Sequence, residues 1–214
     1  MEGYTHLIWD FNGTILDDVE ACIRSADRLL TAHGMEKLRS REDYREMFGF
    51  PIIDYYRRMG FDFEKIPYDT LAVEWMNYYF EYSRGIGAYE GIHEALAFAK
   101  ERGLSQWILS ASESALLRRQ MRELEIDTYF DGVLGLDNIH AHSKKEIGMG
   151  WREKNPDARA LMLGDTDHDA EVAAAMGADC VLLTTGHQSR RRLEACQCLF
   201  VADSAMEALE RLGV

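Results

Sequence analysis

Apolar residues fall along this chain in two rhythms. Short β-branched and aliphatic runs at 4–9, 105–109, 132–134, 160–163, 180–183 and 199–201 read as strands, and their near-continuous apolar character suits strands covered on both faces. Between them, residues 91–102 place Ile92, Ala95, Leu96 and Ala99 on one helical face ahead of Gly103. Residues 113–124 repeat the scheme with Leu116, Leu117, Met121 and Leu124. Strand followed by helix, repeated, predicts an α/β fold on a doubly wound parallel sheet.

The rhythm breaks between 18 and 89. That stretch has no convincing buried strand, only helical segments punctuated by Gly34, Gly49-Phe50-Pro51, Gly60 and Gly85-Ile86-Gly87. It is rich in aromatics, among them Tyr44, Phe48, Tyr55, Trp75 and Tyr79, whose helical spacing marks them as the core of the segment itself. A smaller all-helical insertion at 18–89 is therefore expected inside a sheet domain made of 1–17 and 90–214. Hinges are expected near Leu16 to Asp18 and Gly85 to Glu90, where glycine tolerates the backbone changes that a moving cap needs.

Composition narrows the function. At roughly 150 residues per domain, a chain of 214 residues fits one domain carrying an insertion. Its 24 basic and 37 acidic residues leave a net charge of −13, which repels nucleic-acid backbones and anionic lipid surfaces. Cys22, Cys180, Cys196 and Cys198 lack a zinc-like spacing and read as reduced thiols. The opening Met-Glu-Gly-Tyr-Thr-His has no basic n-region, and no apolar run is long enough for a membrane span, so a cytoplasmic location is expected.

Four segments lie just beyond predicted strands or at helix starts, where a doubly wound sheet binds its ligand. They are Asp10-Phe11-Asn12-Gly13-Thr14, Leu109-Ser110-Ala111-Ser112, Ser143-Lys144-Lys145 and Gly164-Asp165-Thr166-Asp167-His168-Asp169. Each alone has an ordinary explanation: a turn or N-cap aspartate, a capping serine, a solvated lysine pair, a capping cluster. Their coincidence in this order suggests hydroxyl, backbone N–H, ammonium and carboxylate groups converging on one anion and one cation.

On these motifs the chain resembles the haloacid dehalogenase-like superfamily of hydrolases, and within it the phosphoglycolate phosphatases that carry a helical cap between the first two motifs. The resemblance implies a Rossmann-like core with strand order near 3-2-1-4-5, a Mg2+ cofactor and a small phosphorylated substrate, in a monomer or homodimer. Asp10 is then the nucleophile that forms an aspartyl-phosphate. Asp10, Asp165, Asp169 and the backbone carbonyl of Asn12 form the metal set, with Asp169 orienting waters or Asp165, and with Asp167 as the expected capping residue. Ser110, the N–H of Ala111 and Lys144 (or its neighbour Lys145) hold the phosphoryl group, and Thr14 stiffens the loop beside it. From the cap, Arg45, with Tyr55 and Arg57 near it, is a candidate for meeting a carboxylate or second anion on the substrate. Arg190-Arg191-Arg192 reads as a solvated helix face.

One position departs from the pattern. The family's phosphatases place a second aspartate two residues after the nucleophile, as acid for the leaving group and then base for water. Here that residue is Asn12, whose carboxamide hydrogen-bonds but does not exchange a proton near neutral pH. Three explanations are open: a phosphatase using another proton carrier (His168, His187 or a cap residue) or substrates with good leaving groups such as acyl or aryl phosphates; a weak or inactive binder of phosphorylated ligands; or phosphonate or carbon–halogen cleavage. The acidic fourth motif speaks against dehalogenation, and Lys37 and Lys65 read as exposed helix ends rather than imine-forming lysines. If Asn12 is the deficit, Asn12→Asp is expected to raise turnover of an unactivated ester by about tenfold or more.

Overall fold

The computed structural model describes residues 3–136 and 143–213. Its centre is a six-stranded parallel sheet of β1 (His6–Trp9), β2 (Ser105–Glu113), β3 (Gly132–Leu136), β4 (Ala160–Gly164), β5 (Asp179–Leu183) and β6 (Phe200–Ala202). The strand order is β3-β2-β1-β4-β5-β6, the expected order with β6 added at one edge. β1 lies between β2 and β4 in matching register, Trp9 opposite Ile108 and Leu163, so the three strands reach their carboxyl ends together. This is the point where chain order reverses across the sheet.

Alternation along the strands builds two cores. Leu7, Trp9, Ile108, Leu161 and Val181 pack on one face with α5 (Ile92–Glu101), α6 (Ser114–Glu123) and α10 (Ala205–Leu212). Ile8, Leu109, Met162 and Leu182 pack on the other with α7 (Lys144–Lys154) and α8 (Asp167–Met176).

Between β1 and α5 the chain forms α1 (Val19–Ala32), α2 (Arg41–Met47), α3 (Ile52–Arg58) and α4 (Tyr68–Tyr82). α1 turns Val19, Cys22, Ala26, Leu29 and Leu30 inward at helical spacing. With Tyr44, Tyr55, Tyr56, Leu71 and Tyr79 they make a third, separate apolar cluster, so these helices carry their own core. The short α9 (Arg190–Leu193) follows the loop after β5.

β2 departs from expectation. It runs on through Ser110 to Glu113 instead of stopping at Leu109, with its pairing to β3 interrupted between Leu109 and Glu113. Neither Ser110 nor Ser112 caps α6. The Glu113 carboxylate does so, accepting the N–H groups of Ala115 and Leu116.

Candidate active site

Asp10 follows β1 directly, its N–H donated to the Leu163 carbonyl at 2.8 Å. Asp165 follows β4, and Thr166 then caps α8 in a capping box completed by Asp169. Ser143 and Glu146 form a second capping box at the start of α7, which makes Lys144 the first helical residue and turns its side chain inward. Lys144 is buried and Lys145 exposed, a difference that follows from the turn of about 100° between neighbours on a helix.

These tips meet. Carboxylate oxygens of Asp10, Asp165 and Asp169 lie within 4.8 Å of one another, all buried. Lys144 Nζ donates to Asp10 Oδ1 and Asp169 Oδ1, each at 2.5 Å. Asp169 Oδ2 also accepts the N–H groups of Asp165 and Thr166 and, at 2.7 Å, the Thr166 hydroxyl. Asp165 Oδ2 accepts the His187 N–H at 2.7 Å, and its Oδ1 accepts the Thr14 hydroxyl at 3.2 Å. Glycine is required around it: a Cβ at Gly186 would stand 2.0 Å from Asp165 Oδ2, and one at Gly13, where φ is +76°, 2.4 Å from the same atom.

The charges do not balance. Three buried carboxylates face one ammonium. Burial pushes Asp10 well above the usual carboxylate range despite Lys144, and pushes Asp165 up to about 6. Burial acts on Asp169 the same way, but Lys144 and the Thr166 hydroxyl outweigh it and hold that group low. Lys144 itself is held above its ordinary value by Asp10 and Asp169 against the effect of burial. A surplus of negative charge on hard oxygen donors fits a divalent cation such as Mg2+, and Asp10, Asp165 and Asp169 are the side chains able to hold it.

Beside this cluster lies a second network. Asn12 Nδ2 donates to Asp18 Oδ2 at 2.8 Å and to the Tyr79 hydroxyl at 3.2 Å, while its Oδ1 accepts the Ser112 hydroxyl at 2.8 Å. Asp18 also accepts the Tyr79 hydroxyl and the Gly13 N–H. His187 Nε2 lies 3.2 Å from Asp18 Oδ1, and its Nδ1 pairs with the Tyr44 hydroxyl at 2.8 Å. Burial lowers the His187 pKa, but Asp18 outweighs it and raises the group to about 8. Asp18, in turn, is held low by His187 against burial.

Both networks open onto one cavity of about 380 Å³, lined also by Ser110, Ala111, Phe48, Phe50, Trp75 and Phe80. Not every expected residue reaches it. Thr14 is buried behind Asp165 and does not line the cavity. Arg45 is likewise absent from the lining, because its guanidinium Nη2 is spent on the carbonyls of Thr184 and Thr185. Arg57 pairs with Asp54, and Tyr55 is sunk in the helical core. Asp167 is no cap: it accepts from Gln188 Nε2 and Arg192 Nη2. Arg192 is consequently not a solvated side chain, since it also donates to the carbonyls of Arg45, Glu46 and Phe48. The four cysteines are free thiols.

Sequence reasoning gave no site role to Asp18, Tyr79 or Gly186. Asp18 stood at an assumed domain boundary, although a second aspartate immediately after Asp17 and close behind the first motif was a usable signal. Gly186, next to His187 in the loop after β5, was another.

The profile of the haloacid dehalogenase-like hydrolase family matches residues 7–183. The chain belongs to this family. Its relatives include a 5'-nucleotidase from Pseudomonas aeruginosa, 27% identical over 91% of this chain and 89% of that protein, and the pyrophosphatase PpaX from Listeria welshimeri, 25% identical over 85% and 82%. A phosphoglycolate phosphatase from Pseudomonas putida is 23% identical over 88% of this chain and 72% of its own length. In fold, a haloacid dehalogenase-like hydrolase from Streptococcus pneumoniae superposes with a TM-score of 0.83 at 18% identity, covering 99% of each chain. The family makes this chain an enzyme, and its named relatives are phosphatases. Among the described residues, no helix is long and apolar enough to cross a membrane.

Proposed function

We propose that this protein is a Mg2+-dependent phosphatase that removes phosphate from a small phosphorylated metabolite, with Asp10 as the nucleophile and 18–89 as a cap over a core of 1–17 and 90–214. The observation that carries the reading is the buried meeting of Asp10, Asp165, Asp169 and Lys144 at the floor of a cavity.

A phosphate monoester is doubly anionic, so a carboxylate attacks it only under charge compensation. Asp10, Asp165 and the Asn12 backbone carbonyl, with Asp169 alongside, would hold Mg2+, which would supply that compensation when bound. Lys144 adds the fixed ammonium. Ser110 and Ala111, at the irregular end of β2, line the cavity, where the Ser110 hydroxyl and the Ala111 N–H would hold phosphoryl oxygens. Asp10 forms the bond to phosphorus, the ester oxygen leaves with its electron pair, and water then releases phosphate from the aspartyl ester. Asp165 is braced for its part by Thr14, His187 N–H and the two glycines.

Asn12 offers no proton to the leaving group. Its amide hydrogens are given to Asp18 and Tyr79 and its oxygen takes the Ser112 hydroxyl, so it holds loop and cap together instead. The test is turnover of phosphate monoesters with and without Mg2+. Metal-dependent release of phosphate that Asp10→Asn abolishes is expected. Tight binding of a phosphorylated ligand with no release of phosphate would refute the proposal.

A further inference from the structure

The named relatives are a 5'-nucleotidase and a pyrophosphatase, whose substrates differ widely, so substrate choice has to be argued from the cavity of this chain. Building on the phosphatase reading, we propose that the substrate is an aryl phosphate: a monoester whose leaving group is an uncharged aromatic ring bearing the ester oxygen.

The walls come first. Above the carboxylates the cavity is lined by Phe48, Phe50, Ile52, Trp75, Phe80 and Leu116. Phe48 and Phe50 pack edge to face at 5.9 Å, and Trp75 stacks on Tyr79 at 5.3 Å, so two aromatic pairs border the same space. Phe80 is 42% exposed, an aromatic left uncovered at the lining. A volume of about 380 Å³ corresponds to roughly a dozen waters at about 30 Å³ each, enough for one ring and a phosphoryl group.

Charge excludes the obvious competitors. Among the described residues the cations lining the cavity are Lys144 and His187, and both are spent, on Asp10 with Asp169 and on Asp18. The remaining charged lining is acidic, including Glu113. Arg45, the guanidinium expected to receive a carboxylate, is held on the Thr184 and Thr185 carbonyls. A leaving group with its own carboxylate or phosphate would face carboxylates with no cation to meet it.

The leaving-group chemistry points the same way. With Asn12 unable to protonate it, the ester oxygen has to depart as an anion. A phenol ionises near 10 and water near 15.7, so a phenolate leaves unprotonated far more readily than an alkoxide. In the balanced step, Asp10 oxygen bonds to phosphorus as the P–O(aryl) bond breaks, phenolate takes the electron pair and is protonated by solvent, and water later cleaves the aspartyl ester to phosphate.

The experiment compares kcat/KM for phenyl phosphate, acetyl phosphate and 2-phosphoglycolate in Mg2+, with Asp10→Asn as the blank. Acetyl phosphate has the better leaving group but no ring, which separates ring recognition from mere activation. Phenyl phosphate is expected to exceed acetyl phosphate about tenfold and phosphoglycolate about a hundredfold, the scale that burying a ring provides. Phe50→Ala and Trp75→Ala are expected to reduce the phenyl-to-acetyl ratio by about tenfold. Acetyl phosphate or phosphoglycolate matching phenyl phosphate, with turnover still lost in Asp10→Asn, overturns the aryl proposal and leaves the phosphatase reading standing. No turnover of any of the three brings down the phosphatase reading; calorimetry then decides ring recognition, which tighter binding of phenylphosphonate than methylphosphonate supports and equal binding overturns.

Discussion

Restoring an aspartate at position 12 is the obvious repair, and the structure predicts that by itself it fails. Asn12 Nδ2 sits 2.8 Å from Asp18 Oδ2, inside a cage closed by Tyr79 and Ser112. Asn12→Asp turns that donor into a second carboxylate oxygen. Two full charges at this separation repel by about 6 kcal/mol at an effective dielectric of 20, so the pair keeps one proton between them instead. A proton trapped there is unavailable to a leaving group. The unfolded chain releases the same proton near 3.9, so the folded variant binds more protons than the unfolded one and loses stability as the pH rises above about 4. Each pH unit through which that proton is kept above the unfolded value costs about 1.4 kcal/mol, so a loss of at least about 2–3 kcal/mol is expected near pH 8, or about 5–10 °C in melting temperature for a chain of this size. Melting curves at pH 5 and pH 8 for the native chain, Asn12→Asp, Asp18→Asn and the double variant test this. In the double variant an amide again faces a carboxylate with the polarity reversed. Because Asp18→Asn also gives up the ion pair with His187, recovery of part of the stability is expected at pH 8, where that pair contributes least, along with the rise of about tenfold on an unactivated alkyl ester that the single change lacks. Equal melting of Asn12→Asp and the native chain at both pH values, or no rescue by Asp18→Asn, would refute the argument.

Other expectations follow from the same contacts. Lys144→Met leaves Asp10 and Asp169 buried without their cation; a loss of about 3–5 kcal/mol in chemical denaturation is expected, partly recovered by saturating Mg2+ through mass action. Gly186→Ala places a Cβ 2.0 Å from Asp165 Oδ2; a fall in kcat of about a hundredfold is expected, the scale of a displaced reacting geometry, and a rate within twofold of native would show that the loop moves aside freely. The buried pair of His187 and Asp18 makes stability pH-dependent. Because the His187 pKa is raised from 6.5 to about 8, its contribution is full below 6.5 and lost as the pH rises through about 8. Urea unfolding should show a decline of about 2 kcal/mol over that window, flattened in His187→Gln.

The sheet and its four loop tips were legible because each tip is a polar cluster directly beyond an apolar run, and the parallel register of β1, β2 and β4 brings such clusters together whatever else the chain does. Side-chain direction was not legible to the same degree. Lys144 and Lys145 are equivalent in pattern, and only the capping box that starts α7 at position 144 separates them. Ser110 looked like a helix cap because serines before an amphipathic run usually are, yet Glu113 supplies the cap and leaves β2 extended across the cavity mouth. Arg45 was placed at the substrate on charge alone. In the fold, α2 lies over the loop after β5, where the carbonyls of Thr184 and Thr185 draw the guanidinium away.

The polar contacts of the helical insertion are themselves unevenly placed, and that bears on how the site works. Arg45, Glu46 and Phe48 are fastened to Thr184, Thr185, Ser189 and Arg192 on the β5 side. On the other side Tyr79 reaches the Asn12–Asp18 pair, with Ser112 of β2 completing the cage. The first set includes a two-carbonyl grip by Arg45 and a three-carbonyl grip by Arg192, whereas α4 reaches the second side through the Tyr79 hydroxyl. Opening is therefore expected to break the Tyr79 contacts first, and Tyr79→Phe should speed it. That variant keeps the ring stacked on Trp75 but removes a donor to Asp18, and faster hydrogen exchange in α4 than in α2 would register the change. Equal exchange in both helices would mean that the insertion moves as one piece, and the asymmetry of its fastenings would then have no part in admitting substrate.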